Sequence, residues 1–248
     1  MSYKNTAIKA ARGAGEILLK LAKKRAIHSM KSSHDVCAEA DLQAERVIID
    51  TIKRSFPAHS IFSEEAGKDD VRSPYQWIID PLDGTVNYVH GIQEYCTSIA
   101  LTYRGTPILG LVYQPTTGML WCAEKGKGAF CNGKKIRVST TAALVNAILA
   151  SDNGANLSAR EKNFELLSRL CSKVRHTRIM GSAALHLARL ATGQVDVYLK
   201  TVFNYWDIAA GIILIEEAGG KITDIRGKKL SEKSEGIIAS NGAIHREF

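Results

Sequence analysis

Apolar positions in residues 4–24 recur at helical spacing. Ile8, Ala11, Gly15, Leu18, Leu19 and Ala22 share one face, with Lys, Arg and Glu on the other, as expected of an amphipathic helix packed on a core. A second such pattern runs from about Ala38 to Phe56 through Leu42, Ile48, Ile49 and Ile52, and Pro57 ends it. Strand signals follow at Ser60–Ser63, Trp77–Asp80, Ser98–Tyr103, Ile108–Tyr113 and Met119–Glu124. Arg104-Gly105-Thr106-Pro107, Pro115-Thr116-Thr117-Gly118, Lys125–Gly128 and Asn132-Gly133 supply turns. The middle of the chain is therefore expected to be an antiparallel meander.

Beyond about residue 140 the pattern becomes mixed. Strands are expected at Ala147–Ser151, Val195–Leu199, Lys221–Asp224 and Gly236–Ala239, and helices at Ala159–Lys173, Ala183–Thr192 and Trp206–Ala218. No repeat or low-complexity stretch interrupts the chain. The layout predicts two joined halves, residues 1–140 and 141–248, of layered sheets and helices without a flexible linker.

Composition narrows the function classes. The chain has 248 residues, 45% of them hydrophobic and 23% charged, which fits a globular protein and argues against disorder. Its 33 basic and 25 acidic residues leave a formal +8, which favours encounters with anions such as phosphorylated metabolites, nucleic acid or acidic membrane. The basic run Lys20, Lys23, Lys24, Arg25 and Lys31 fits a solvated helix end, with an anion-binding patch as the alternative. The apolar run around Ile208–Ile215 is far short of the ~20 residues a bilayer requires, and no signal region opens the chain, so a cytoplasmic protein is expected. Five scattered cysteines (Cys37, Cys96, Cys122, Cys131 and Cys171) show neither zinc spacing nor a disulfide framework.

The chemistry concentrates in Trp77-Ile78-Ile79-Asp80-Pro81-Leu82-Asp83-Gly84-Thr85. Pro81 cannot donate to a sheet ladder, so the chain is expected to leave the sheet there, converging Asp80 and Asp83 with the Leu82 carbonyl. Gly84 and Thr85 fall at an expected helix start, where unpaired N–H groups can seat phosphate. Clustered hard oxygens suit Mg²⁺ better than softer metals. Taken alone, Asp83-Gly84-Thr85 is more often a turn or a cap than a catalytic site.

Asp80-Pro81-Leu82-Asp83-Gly84-Thr85 resembles the first signature of the inositol monophosphatase family. Trp206-Asp207-Ile208-Ala209-Ala210-Gly211, followed by Glu217-Ala218-Gly219-Gly220, resembles the second. Ser63-Glu64-Glu65 is similar to the family's upstream metal-binding pair, Gly181-Ser182-Ala183-Ala184 to its substrate loop, and Lys31-Ser32-Ser33 with Asp41 to its mobile N-terminal loop. The resemblance spans about residues 5–240. It implies an α+β fold of α/β/α/β/α layers, with an antiparallel sheet in the N-terminal half and a mixed α/β C-terminal half. It also implies a Mg²⁺-dependent, lithium-sensitive phosphomonoesterase working by direct in-line attack of a metal-activated water, and a homodimer.

Carried over by position, Glu64, Asp80, the Leu82 carbonyl, Asp83 and Asp207 are the implied metal ligands, with Glu65 orienting Glu64. Asp41 and Thr85, together with Glu64, are the implied catalytic residues, the first two orienting and activating the water. Asp83, Gly84, Thr85, Gly181, Ser182, Ala183, Lys200 and Asp207 are the implied substrate contacts. Two positions depart from the family. Val86 stands where many relatives carry Thr, and Lys200 stands where inositol-cleaving members carry an acidic residue. A cation donates hydrogen bonds and cannot accept them, so Lys200 either attracts a second anionic group, as in a sugar bisphosphate or 3′-phosphoadenosine 5′-phosphate, or points to solvent. An added RNA or transcription-complex role is the alternative of another class, weakened by the lack of aromatic–basic interleaving.

Overall fold

A computed structural model describes residues 2–25, 30–154 and 156–248, giving only the backbone of 24, 25 and 30–38. Helix α1 (Tyr3–Arg25) is followed by α2 (Met30–Ser55). The second helix thus begins earlier than its apolar pattern suggests and takes in residues 31–33, expected as a loop. The side chains of Lys24, Arg25, Lys31 and Cys37 lie outside the described residues.

The first sheet holds β1 (Ser60–Ser63), β2 (Gly67–Lys68), β3 (Tyr75–Asp83), β4 (Cys96–Tyr103), β5 (Thr106–Gln114), β6 (Met119–Glu124), β7 (Gly128–Cys131) and β8 (Lys134–Lys135), with the short helix α3 (Thr85–His90) after β3. Its order is β2-β1-β3-β4-β5-β6-β7-β8, antiparallel except for β1 beside β3. The expected meander is present, and β7 adds a strand between the turns expected at Lys125–Gly128 and Asn132-Gly133.

The second sheet holds β9 (Ile148–Ser151), β10 (His176–Ile179), β11 (Val197–Lys200), β12 (Lys221–Thr223) and β13 (Ile237–Ser240), in the order β10-β9-β11-β13-β12. Its strands are mixed in direction, with helices α4 (Leu157–Leu170), α5 (Ala183–Ala191) and α6 (Tyr205–Glu217) interspersed in the sequence.

Strand alternation builds the layers. Trp77, Ile79, Ile99 and Leu101 pack against α1 and α2 residues such as Ala14, Leu18, Ile48 and Ile52. Ile78 and Ala100 point the other way, onto α5 and α6, and Ala150, Tyr198 and Ala239 of the second sheet meet the same helices from beyond. Leu149, Val197 and Leu199 face outward onto Leu167 and Leu170 of α4. The result is α/β/α/β/α. Helix α6, covered by sheets on both sides, is apolar almost all round from Ile208 to Ile215. Gly211 lets α5 approach it, since a Cβ there would stand 2.3 Å from Leu187 Cδ1.

Candidate functional site

A carboxylate pair three residues apart on a regular strand would point to opposite faces. Asp80 pairs with Ser98 and Asp83 with Cys96, so three steps on β3 oppose two on β4. The extra residue is a bulge at Pro81–Leu82, a position where a proline's missing N–H is tolerated. It turns Leu82 into the α1/α2 core and returns Asp83 to the face of Asp80. The chain therefore stays in the sheet through Pro81, contrary to the expected exit, and the bulge achieves the convergence. Thr97 Oγ1 donates to the Pro81 carbonyl at 2.9 Å and fastens it.

Glu64 follows β1 directly, and its backbone N–H donates to the Ile79 carbonyl at 3.2 Å. The buried Glu45 on α2 braces this corner, accepting from the Ser63 hydroxyl and from the N–H groups of Glu65 and Ala66. Glu45 thus holds the residues on either side of Glu64, while the side chain of Glu65 is exposed. Asp207 lies in the first turn of α6 and accepts the Asn204 N–H at 3.2 Å, closing the helix start while facing the cluster.

The cluster's electrostatics show its crowding. Burial, then the charge of Asp207, pushes the Glu64 carboxyl up to about 7. Burial and Asp207 likewise push Asp83 up to about 7, against the opposing pull of Ser182 and Ala184. Asp80 is held well above the usual carboxylate range by burial and then by Asp83, Glu64, Asp207 and Asp41. Asp41 is pushed up to about 8 by burial, Glu64, Glu65 and Glu45. Its Oδ1 is buried with no hydrogen-bond partner among the described residues. The Trp206 indole N–H favours the Glu64 charge but is outside hydrogen-bond geometry.

Other expected residues take different positions. The Thr85 hydroxyl donates to the Leu82 carbonyl at 3.0 Å instead of joining Asp41. Gly84 has φ 94° and is tightly fitted, a Cβ there standing 2.7 Å from the Glu94 carbonyl. Ser182 spends its hydroxyl on Asp83 Oδ2 at 2.6 Å, and Ala184 N adds 2.7 Å to the same oxygen. Ala183 is buried in the central core, whereas Gly181 is exposed. Lys200 points inward, its Nζ 3.3 Å from Asp207 Oδ2. Burial alone would lower its pKa, but Asp207, Asp152 and Asp83 outweigh that and raise it.

Sequence reasoning missed Asp152 and Asn87. Asp152 Oδ1 accepts the Gly181 N–H at 3.1 Å and its Oδ2 accepts the Tyr198 hydroxyl at 2.7 Å. Asn87 Nδ2 donates to the carbonyls of Glu94 and Met180 at 2.7 and 2.6 Å. Between them they fix the 180–182 loop. Only the buried-strand setting of Ala147–Ser151 just before Asp152 could have drawn attention to it.

Among the described residues no three carboxylate, imidazole or thiol groups stand in ready-made metal-ligand geometry. In the cluster Lys200 sits on one Asp207 oxygen, and Ser182 and Ala184 hold one Asp83 oxygen. The all-oxygen donor set, the mutual repulsion and the orphaned Asp41 oxygen nevertheless fit a hard divalent cation.

The layered fold around a buried carboxylate corner defines a class of phosphoric monoester hydrolases. The chain belongs to the inositol monophosphatase family, whose model matches residues 2–248. It is 39% identical over 213 residues to a fructose-1,6-bisphosphatase/inositol-1-monophosphatase of Thermotoga maritima, covering 86% of this chain and 80% of that one. It is 35% identical to a putative Nus factor SuhB of Neisseria meningitidis serogroup B, covering 98% and 94%. An inositol monophosphatase structure from Anabaena superposes with a TM-score of 0.89 at 36% identity, covering 98% and 92%. No helix among the described residues is long and apolar enough to cross a membrane.

Proposed function

We propose that this hydrolase is Mg²⁺-dependent and cleaves the phosphate ester of a small polyol or sugar. The observation that carries the reading is the β3 bulge, which turns Asp80 and Asp83 to one face, where they meet the charges of Glu64 and Asp207. In this reading Glu64, Asp80, the Leu82 carbonyl, Asp83 and Asp207 hold the metal. Magnesium bound there would neutralise the phosphate and acidify water. Asp41, whose Oδ1 has no hydrogen-bond partner among the described residues, would accept a proton from the attacking water once a cation beside it favours its ionised form. Thr85, bonded to the Leu82 carbonyl, aims that carbonyl, and the Gly84–Thr85 backbone seats the phosphate. The work is positioning and charge neutralisation, which phosphoryl transfer mostly requires.

The test is phosphate release from a panel of phosphorylated metabolites with and without magnesium. Turnover that survives chelation overturns the metal assignment. Lithium inhibition and a homodimer belong to the same reading. A second reading, an added transcription-complex role, is favoured by the name of the Neisseria relative and the +8 charge. A salt-sensitive gel shift on RNA that persists in Asp83→Asn would support it as a separate activity.

A further inference from the structure

Lys200 stands where strand alternation must turn it inward. Val197 and Leu199 face α4, while Tyr198 faces the central helices, so Lys200 joins the Tyr198 side. There its Nζ lies 3.3 Å from Asp207 Oδ2, with the lysine side chain only 13% exposed and that of Asp207 12%. Asp152 and Asp83 also act on the ammonium. Asp152 has both oxygens engaged by Gly181 and Tyr198, and Asp83 has one oxygen engaged by Ser182 and Ala184. Asp207 is the carboxylate within ion-pair distance of the lysine, and the same Oδ2 also accepts the Asn204 N–H at 3.2 Å.

Resting on the metal assignment above, the geometry points to Lys200 as a tethered counter-ion that competes with the divalent cation for Asp207. Buried carboxylates without a cation repel one another, and an ammonium on a four-carbon stem relieves that at one oxygen. A metal ion at Asp207 meets this ammonium as a like charge at close range in a partly dry cleft, where repulsion is strong. The lysine must swing off before the ion seats. It stays anchored on β11, however, and remains in the cleft as a cation for a second anionic group of the substrate. The protein thus gives up metal affinity in exchange for a cluster that is held together before metal arrives.

Isothermal titration of the chelator-stripped full chain with Mg²⁺ alone tests this, beside thermal melting with chelator and with Mg²⁺. Lys200→Met should bind Mg²⁺ about tenfold more tightly than the wild type, the scale of one modest ion-pair interaction. It should melt lower in chelator and gain more from Mg²⁺. Lys200→Arg, which keeps the charge, should match the wild type in both measurements. Lys200→Gln replaces Lys200→Met if the latter does not fold without metal. Unchanged or weaker Mg²⁺ binding in the neutral variant overturns the competition while leaving the metal site intact. A wild type that binds no Mg²⁺ overturns both.

Discussion

The Ser182 hydroxyl donates to Asp83 Oδ2 at 2.6 Å across 99 residues of chain, tying the start of α5 to the bulge of β3. The bond favours the ionised carboxylate and opposes the burial that pushes Asp83 up to about 7. Ser182→Ala should raise that value further. A hydrogen bond to a charged group is worth ~1.5–3 kcal/mol, so kcat/KM should fall by about ten- to a hundredfold. The acidic limb of its pH profile should move to higher pH. A profile that drops in height without shifting would mean that Ser182 only shapes the loop.

Asp80→Asn, Asp83→Asn and Asp207→Asn should each remove most turnover while circular dichroism stays native. Each replaces a charged oxygen by a neutral amide of the same shape in a cluster whose members already repel. Loss of that repulsion should even raise the melting temperature in chelator for Asp80→Asn. Near-normal rates in any of the three would remove that residue from the metal assignment.

The same repulsion sets how metal-free stability depends on pH. Asp41, Glu64 and Asp83 rise in the folded chain from 3.8, 4.5 and 3.8 to about 8, 7 and 7. Between the low and high values the folded state holds more protons than the unfolded one, so stability is full below about pH 4 for these groups and is lost as pH rises towards 8. Melting temperature in chelator should therefore fall from pH 5 to pH 8, and saturating Mg²⁺ should flatten or reverse the slope. Parallel curves with and without Mg²⁺ would show that the ion does not bind this cluster.

Local sequence carried much of this architecture. Alternation in β3 to β6 and the fully apolar α6 are short-range patterns, and the structure follows both. The Asp80–Asp83 corner was legible in residue type but not in mechanism, because a bulge depends on the partner strand: Ser98 and Cys96 reveal the extra residue, not Pro81 alone. Strand β10 escaped notice because its four residues, His176–Ile179, are all exposed and carry no alternation. Glu45 and Asp152 brace the site through backbone N–H groups at least 20 residues away in sequence, interactions that leave no mark on neighbouring residue types. Lys200 was legible as an odd residue, yet its direction needed the register of β11 against β9 and β13.

That direction bears on substrate choice. With its ammonium inside the cleft near Asp207, Lys200 can donate to a second phosphate but cannot accept from a polyol hydroxyl pair. Fructose 1,6-bisphosphate and adenosine 3′,5′-bisphosphate should therefore outrank inositol 1-phosphate in kcat/KM at saturating Mg²⁺. Lys200→Glu restores an acceptor and repels the second phosphate, so the ranking should invert. Replacing one charge-assisted hydrogen bond by one repulsion should swing it by about a hundredfold. The swing should sit mainly in KM, since the group acts on a part of the substrate that does not react. An unchanged ranking in Lys200→Glu, measured by phosphate release on all three esters, would show that the lysine does not face the bound alcohol.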